Sequence, residues 1–199
     1  SGLFLYGLSF LYGITGTTTM IGTMGHEGIR DVGLGLLSQG DPGFRQMLAH
    51  PALVLLVAGL GFKIAAVPFH FYAPDVYEGT TNANAGLLAI IPKIAGILAF
   101  VRLVAVAFPI AASFAWQLSL VLAVLTMTIG NVCALWQQNI RRLMAYSSVA
   151  HAGYMLIGLA VATAAAELGR SEGGIAATLF YVFVYALASL GTFAALTYL

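Results

Sequence analysis

Two lysines lie near the middle of long apolar runs, where ionisable side chains are rare. Lys63 lies within the run from Pro51 to Phe71, and Lys93 lies within the run from Ala85 to Phe108. An ammonium at the centre of a bilayer costs roughly 2.5–3.5 kcal/mol on insertion scales, so it is normally kept for a function. Burial disfavours the charged form of a lysine, and the amine can then exchange a proton near neutral pH. The chemistry that these residues predict is proton transfer.

The acidic residues do not offset these charges, because all of them fall between the apolar runs. Neither lysine therefore has an acidic partner at its own depth within this sequence. The alternative interpretation is that each lysine extends to the lipid headgroups. Both lie about ten residues from either end of their runs, which is further than a side chain comfortably reaches. The seven acids are Glu27, Asp31, Asp41, Asp75, Glu78, Glu167 and Glu172.

Each lysine also has a proline nearby. Pro68 follows Lys63 by five residues, and Pro92 immediately precedes Lys93. Proline has no backbone N–H, so it leaves the carbonyl four residues earlier without its helical partner. Broken helices with ionisable groups at the break recur in transporter sites, so we predict a break at Lys63 and Pro68. A simple packing kink is the alternative.

Histidine and hydroxyl residues extend the list of candidates. His70 follows Lys63 by seven residues, which places both on one face if the helix continues, and its near-neutral pKa suits a proton relay. A histidine bonded to a loop at the helix end is the alternative. Further along, a narrow polar stripe predicts a face turned towards water or other helices, where His151 either carries protons or holds helices together. That stripe consists of Ser147, Ser148, His151, Tyr154 and Gly158.

The composition is that of a membrane protein. Hydrophobic residues make up 60% of the 199 residues, charged residues make up 8%, and the mean hydropathy is +0.95. A soluble domain carries about 25% charged residues. The net charge of +1, without a basic cluster, argues against a nucleic-acid partner. Four scattered histidines and one cysteine lack metal-ligand spacing, so we predict no metal, redox or hydrolytic centre in this chain.

These residues must be positioned by helices. A bilayer core needs about 20 helical residues, and six segments meet that length. The fold class predicted is an all-α, polytopic transmembrane helix bundle in which residues 1–199 form a single membrane domain. A short interfacial helix is predicted between His26 and His50, and a turn at Phe108 and Pro109. The six predicted spans are residues 2–24, 51–71, 85–107, 114–137, 143–165 and 175–198.

Because the chain begins and ends in apolar sequence, we expect it to be a fragment of a longer polytopic protein. Loop charge gives a divided orientation. Arg141 and Arg142 place their loop inside, and alternation puts the loop with Asp75 and Glu78 on the same side. Three arginines in loops on the opposite side favour the reverse orientation, namely Arg30, Arg45 and Arg170.

Two stretches, Gly61 to Leu103 and Gly130 to Ala160, closely resemble subunit N, or subunit 2, of the proton-pumping NADH:quinone oxidoreductases, respiratory complex I. The run PDVYEG, Pro74 to Gly79, resembles that subunit rather than other antiporter-like proteins. The resemblance implies a fourteen-helix fold with inverted repeats, of which this chain would be helices six to eleven. It also implies that the segment with Lys63 is a broken helix and that the PDVYEG loop is cytoplasmic.

For individual residues, the resemblance implies that Lys63 is the pumping lysine of the first half-channel, Lys93 the connecting lysine and His70 a polar link along the central hydrophilic axis. A glutamate that pairs with Lys63 is implied in the fifth helix of that fold, upstream of Ser1. NADH, flavin, iron–sulfur clusters and quinone would be bound by other subunits, with no cofactor here. Expected partners are the lipid bilayer and other complex I membrane subunits, especially antiporter-like ones, in a bacterial inner respiratory membrane. The alternatives are a subunit of a multisubunit sodium/proton antiporter and a structural membrane anchor.

Overall fold

The computed structural model describes residues 2–22, 26–38, 44–106, 111–167 and 172–198. The regular elements within those ranges are helices, which confirms the all-α prediction. They are α1 (Gly2–Thr15), α2 (Ile29–Ser38), α3 (Phe44–Ile64), α4 (Tyr72–Glu78), α5 (Asn82–Phe100, continued by a π-helical segment Val101–Val106), α6 (Ala112–Leu135), α7 (Ile140–Glu167) and α8 (Glu172–Tyr198). The predicted turn at Phe108 and Pro109 lies outside the described residues, as do Asp41 and Arg170.

Five of these helices are long and apolar enough to cross a membrane. The spanning stretches are Met47–Ile64, Asn82–Val104, Ala112–Leu135, Ile140–Ala165 and Gly173–Tyr198. The first predicted span, residues 2–24, is instead a helix of 14 residues that ends at Thr15. Gly16 ends it with a φ of 69°, and its N–H donates to the Tyr12 carbonyl at 2.7 Å. A glycine in this left-handed conformation is a common helix terminator.

The two lysine-bearing helices differ in whether they continue past the nearby proline. α3 ends at Ile64, directly after Lys63, and Ala65 follows with a φ of 59°. The chain then passes through turns to α4. By contrast, α5 continues through Pro92 without interruption. The helix therefore ends next to one lysine and continues past the other.

Side chains from neighbouring helices stabilise the connection between α3 and α4. The Val67 N–H donates to the Thr126 hydroxyl of α6 at 3.1 Å. The Tyr72 hydroxyl of α4 donates to the Phe62 carbonyl of α3 at 2.9 Å. Both bonds go to backbone groups at or just beyond the end of α3, so they help to pair the backbone where the chain leaves the helix.

α7 is the central helix, and it packs against α4, α5, α6 and α8. Its closest neighbour is α6, where glycines allow the backbones to approach. A Cβ added at Gly130 would lie 2.7 Å from the Ala150 nitrogen, and one at Gly153 would lie 2.6 Å from Cγ of Met127. Small residues allow this kind of packing in membranes, where lipid is as apolar as the helix surface. α7 is therefore held firmly, and so are the polar residues that it carries.

The connection after α1 contains the short helix α2, which confirms the helix predicted between His26 and His50. Its carboxylate Asp31 accepts hydrogen bonds from the Gly22 N–H at 2.8 Å and the Gly28 N–H at 3.0 Å. An acidic residue in the first turn also interacts favourably with the helix dipole. One side chain thus anchors the start of α2.

Candidate functional site

Lys93 is buried in the protein interior and is hydrogen-bonded to one hydroxyl. It lies on α5 with 3% of its surface exposed, and its Nζ donates to Oγ of Ser148 at 2.6 Å. Oγ of Ser148 lies 3.2 Å from the Tyr77 hydroxyl. Within the described parts of the chain, the ion pairs are made by Arg142, so no carboxylate is paired with Lys93. Its polar partners are neutral.

Two glycines of α5 explain how this lysine reaches the interior. Gly86 lies seven residues before Lys93 and Gly96 three residues after it, so all three share one face of the helix. A Cβ at Gly86 would meet Phe193 of α8, and a Cβ at Gly96 would meet Ile64 of α3. The small residues let α5 pack closely against both neighbours, and Lys93 then points inwards.

Lys63 lies in the last turn of α3 and is exposed at the surface of the described chain. It borders a cavity of about 620 Å³ that lies between α1, α3 and α5. It also borders a second cavity, of about 50 Å³, which is lined by Lys93 as well. Two tyrosines of α4, Tyr72 and Tyr77, complete the polar lining of that second cavity. The structure therefore brings the two predicted lysines to one small cavity.

A third cavity, of about 150 Å³, continues beyond Ser148 between α7 and α8. His151, Tyr181 and Tyr185 line it together with Ser148. Nδ1 of His151 lies 2.7 Å from the Tyr181 hydroxyl, and the His151 ring is 5.8 Å from that of Tyr154, centroid to centroid. Hydrogen bonds and shared cavities thus connect five residues, which we call the polar axis: Lys63, Lys93, Ser148, His151 and Tyr181.

His70 does not join this axis. It lies between α3 and α4, where its ring is 5.5 Å from Phe71 and 6.4 Å from Tyr146. Its buried Nδ1 has no hydrogen-bond partner among the described residues, and the cavity shared by the lysines is lined by other side chains. The helical spacing from Lys63 to His70 does not apply, because α3 ends at Ile64.

Several site residues were not singled out from the sequence. Tyr77 stands inside the PDVYEG run, and two tyrosines of α8 face His151. The signal for the latter is a second polar stripe at helical spacing in an apolar segment. It consists of Tyr181, Tyr185, Ser189 and Thr192, all of which line the cavity between α7 and α8.

An ionic cluster joins α4 to the start of α7. Nη1 of Arg142 lies 2.8 Å from Oδ1 of Asp75 and 2.7 Å from Oε2 of Glu78. Asn139 donates to the other oxygen of Glu78 at 2.9 Å, and Arg141 donates to the Thr80 carbonyl at 3.0 Å. These contacts confirm the prediction that the two loops lie on the same side. Hydrogen bonding to Arg142 is the main reason that the pKa of Glu78 lies below its usual value of 4.5.

This cluster should make the docking of α4 depend on pH. Because the pKa of Glu78 is lower in the folded state, its contribution is complete above pH 4.5 and is lost as the pH falls through the lower, folded-state value. We expect the protection of the α4 amides from hydrogen exchange, corrected for the intrinsic pH dependence of the exchange rate, to fall over that acid range. The pair is exposed, so the effect should be small and should weaken with salt. Glu78→Gln should remove this pH dependence, whereas an unchanged profile in Glu78→Gln would contradict it.

Comparison with known proteins identifies the family of this chain. The family model described as NADH:quinone oxidoreductase/Mrp antiporter, transmembrane, matches residues 1–198. NADH-quinone oxidoreductase subunit N of Moorella thermoacetica is 40% identical over 201 residues, which is 99% of this chain and 37% of that protein. The subunit N of Salinibacter ruber is 40% identical over 200 residues, covering 100% of this chain and 36% of that protein.

Solved structures agree with this assignment. A chain in respiratory complex I from Thermus thermophilus with bound aureothin is 36% identical with a TM-score of 0.69, covering 98% of this chain and 36% of that one. A chain in the Mrp complex from Dietzia is 26% identical with a TM-score of 0.70, covering 97% and 32%. The chain thus spans a little over one third of the length of the relatives it matches. It belongs to the NADH:quinone oxidoreductase/Mrp antiporter family of membrane proteins, and its resemblance to subunit N is confirmed.

Proposed function

We propose that the whole protein is a proton-translocating membrane subunit of an NADH:quinone oxidoreductase, and that this chain supplies one of its transfer paths. Lys63 accepts and releases the proton, and Lys93 moves it laterally. Quinone reduction and its cofactors, namely NADH, flavin and iron–sulfur clusters, belong to other subunits. The observation that carries the proposal is the cavity of about 50 Å³ that both lysines line. It has room for a few water molecules, which can pass a proton between two amines.

The surroundings of Lys63 support its role as the exchanging group. Its side chain is exposed and borders the larger cavity, of about 620 Å³, beside α1 and α5. That space is large enough for a side chain from another helix. The resemblance implies a glutamate as that partner. The charge of such an acid would then set how readily Lys63 releases its proton.

The remaining candidates have different roles in the proposed path. His151 is bonded to Tyr181 and shares a cavity with Ser148, so it is the acceptor that follows Lys93. Tyr154 packs against the His151 ring and keeps it oriented. The Nδ1 of His70 has no hydrogen-bond partner among the described residues, so this histidine would be able to accept a proton. Because it does not line the cavity between the lysines, it would do so beside the path and not along it.

The proposed setting follows from the relatives. The protein would lie in a bacterial inner respiratory membrane, surrounded by lipid and by other membrane subunits of the complex, with antiporter-like subunits as neighbours. The end of the bundle that carries Arg142 and Glu78 would face the cytoplasm. This orientation agrees with the positively charged loop at Arg141 and Arg142.

Proton pumping by the intact complex tests the proposal. Inverted membrane vesicles containing the full-length protein should acidify when NADH is added, independently of sodium. Lys63→Ala and Lys93→Ala should each lower this acidification and the coupled quinone reduction. NADH oxidation by an artificial electron acceptor should stay normal, which shows that the complex has assembled. Normal acidification in well-assembled Lys63→Ala vesicles would overturn the proposal. Transport that requires sodium would favour an antiporter instead.

A further inference from the structure

The hydroxyls of Ser148 and Tyr77 connect Lys93 of α5 to two other helices, α7 and α4. Oγ of Ser148 accepts from Nζ of Lys93 at 2.6 Å and lies 3.2 Å from the hydroxyl of Tyr77. Each of the three residues is 3% exposed. They belong to α5, α7 and α4, so one buried chain of hydrogen bonds joins three helices at the lysine.

We propose that Ser148 and Tyr77 are positioning residues for Lys93, and that the docking of α4 against α7 through this pair sets how readily Lys93 holds its proton. This inference rests on the proposed role of Lys93 as a proton carrier. Ser148 and Tyr77 do not themselves take the transported proton. They hold the amine in place and provide partners for both of its protonation states.

A hydroxyl suits this task because it both donates and accepts. When Lys93 is an ammonium, it donates to Oγ of Ser148, and the Ser148 hydroxyl donates to the Tyr77 oxygen. When Lys93 is a neutral amine, the Ser148 hydroxyl can donate to Nζ while the Tyr77 hydroxyl donates to Oγ of Ser148. Apart from the proton on Nζ, the hydrogen-bond arrangements of the two states differ only in the rotation of two O–H groups. A carboxylate in the same place would stabilise the ammonium alone.

The second part of the inference comes from the way α4 is attached. Tyr77 is adjacent to Glu78, whose carboxylate is bonded to Arg142 of α7. α4 has seven residues, so it is held mainly by its contacts rather than by its own helical stability. The same short helix is therefore fixed to α7 once at the ionic cluster and once at Ser148. A displacement of α4 would withdraw the Tyr77 hydroxyl from Ser148.

Other ionisable groups also face Lys93 and contribute to any pH dependence. Lys63 and Tyr72 line the cavity on one side of it. His151 and Tyr185 line the cavity beyond Ser148. None of these four residues is itself replaced in the Ser148 and Tyr77 variants. A difference between the profiles of two such variants therefore reports on the hydroxyl pair.

The test is the pH profile of NADH-driven proton pumping by the intact complex in membrane vesicles. Ser148→Ala removes a hydrogen bond that is stronger to the ammonium than to the neutral amine, so it favours the neutral amine. We expect the alkaline limb of the profile to move by about one pH unit towards acid, the size expected from the difference between a hydrogen bond to a charged group and one to a neutral group. Ser148→Thr should restore the limb. Tyr77→Phe should move it in the same direction by less, because it removes only the second bond.

The control is Ser119→Ala, which removes a buried hydroxyl from α6 and should leave the profile unchanged. If Lys93→Ala lowers pumping while Ser148→Ala keeps the wild-type profile, this inference is overturned and the proposed function stands. If Lys93→Ala pumps normally, the proposed function itself fails. A Ser148→Thr profile identical to that of Ser148→Ala shows a packing role and also overturns the inference. Should Ser148→Ala not assemble, Tyr77→Phe decides, since it keeps the ring that packs against Phe193.

Discussion

Replacing Lys93 with methionine is expected to slow proton transfer along the polar axis by roughly a hundredfold or more, the lower end of what a positioned proton-transfer group contributes. The lysine lines the cavity next to Lys63 and also donates to Oγ of Ser148. Methionine fills a similar volume but cannot carry a proton. The measurement is NADH-driven acidification of vesicles, normalised to the amount of assembled complex.

The same substitution should leave the folded subunit at least as stable as the wild type. A buried ammonium without an acidic partner costs roughly 2.5–3.5 kcal/mol in a bilayer, and methionine removes that cost. Ser148 keeps Tyr77 as a hydrogen-bond partner, so no hydroxyl becomes isolated. We expect an equal or higher thermal denaturation midpoint for the purified complex.

Arg102→Met is the matched control, because it removes an exposed cation from the π-helical segment that continues α5. Its pumping should remain near that of the wild type. If Lys93→Met pumps normally in assembled complex, then Lys93 is not a carrier.

The second large effect is expected at Lys63. Replacing it with arginine should abolish proton pumping as completely as replacing it with methionine. Arginine keeps the positive charge, but its guanidinium does not release a proton at any accessible pH. The exposed position beside a cavity of about 620 Å³ leaves room for the larger side chain. Both variants should therefore assemble and lose most NADH-driven acidification.

The comparison of the two Lys63 variants separates a carrier from a fixed charge. If a positive charge at Lys63 only shapes the local potential, Lys63→Arg should pump normally while Lys63→Met does not. That outcome would contradict proton exchange at Lys63. Measuring both variants with an artificial electron acceptor checks that the complex has assembled in each case.

Much of the site could be predicted because membrane sequences make polar residues conspicuous. Lys63 and Lys93 stood out from apolar runs, and the structure places both on one cavity. The polar stripe of α7 also predicted an inward face, and Ser148 and His151 line one cavity there. In each case a charge or a hydroxyl in apolar surroundings has few places to go, so its type alone restricts its position.

The features that the sequence did not predict are the ends of helices and the contacts between residues of different helices. Hydropathy continued past Thr15, but the conformation of Gly16 ends α1 there. Spacing related His70 to Lys63, yet α3 ends between them. Tyr77 looked like a loop residue, and its partner Ser148 is 71 residues away in sequence. Periodicity describes one helix at a time, and it contains no information on such contacts between helices.

The small cavity between the two lysines also has a consequence for ion selectivity. Its volume is about 50 Å³, and its polar lining consists of two amines and two phenols. A sodium ion would have to shed most of its water to enter, and the amines, when protonated, would repel it. A proton needs no such space, because it moves by exchange between neighbouring groups. Under the proposed function, the cavity that joins Lys63 to Lys93 would therefore favour proton transfer over the passage of metal cations.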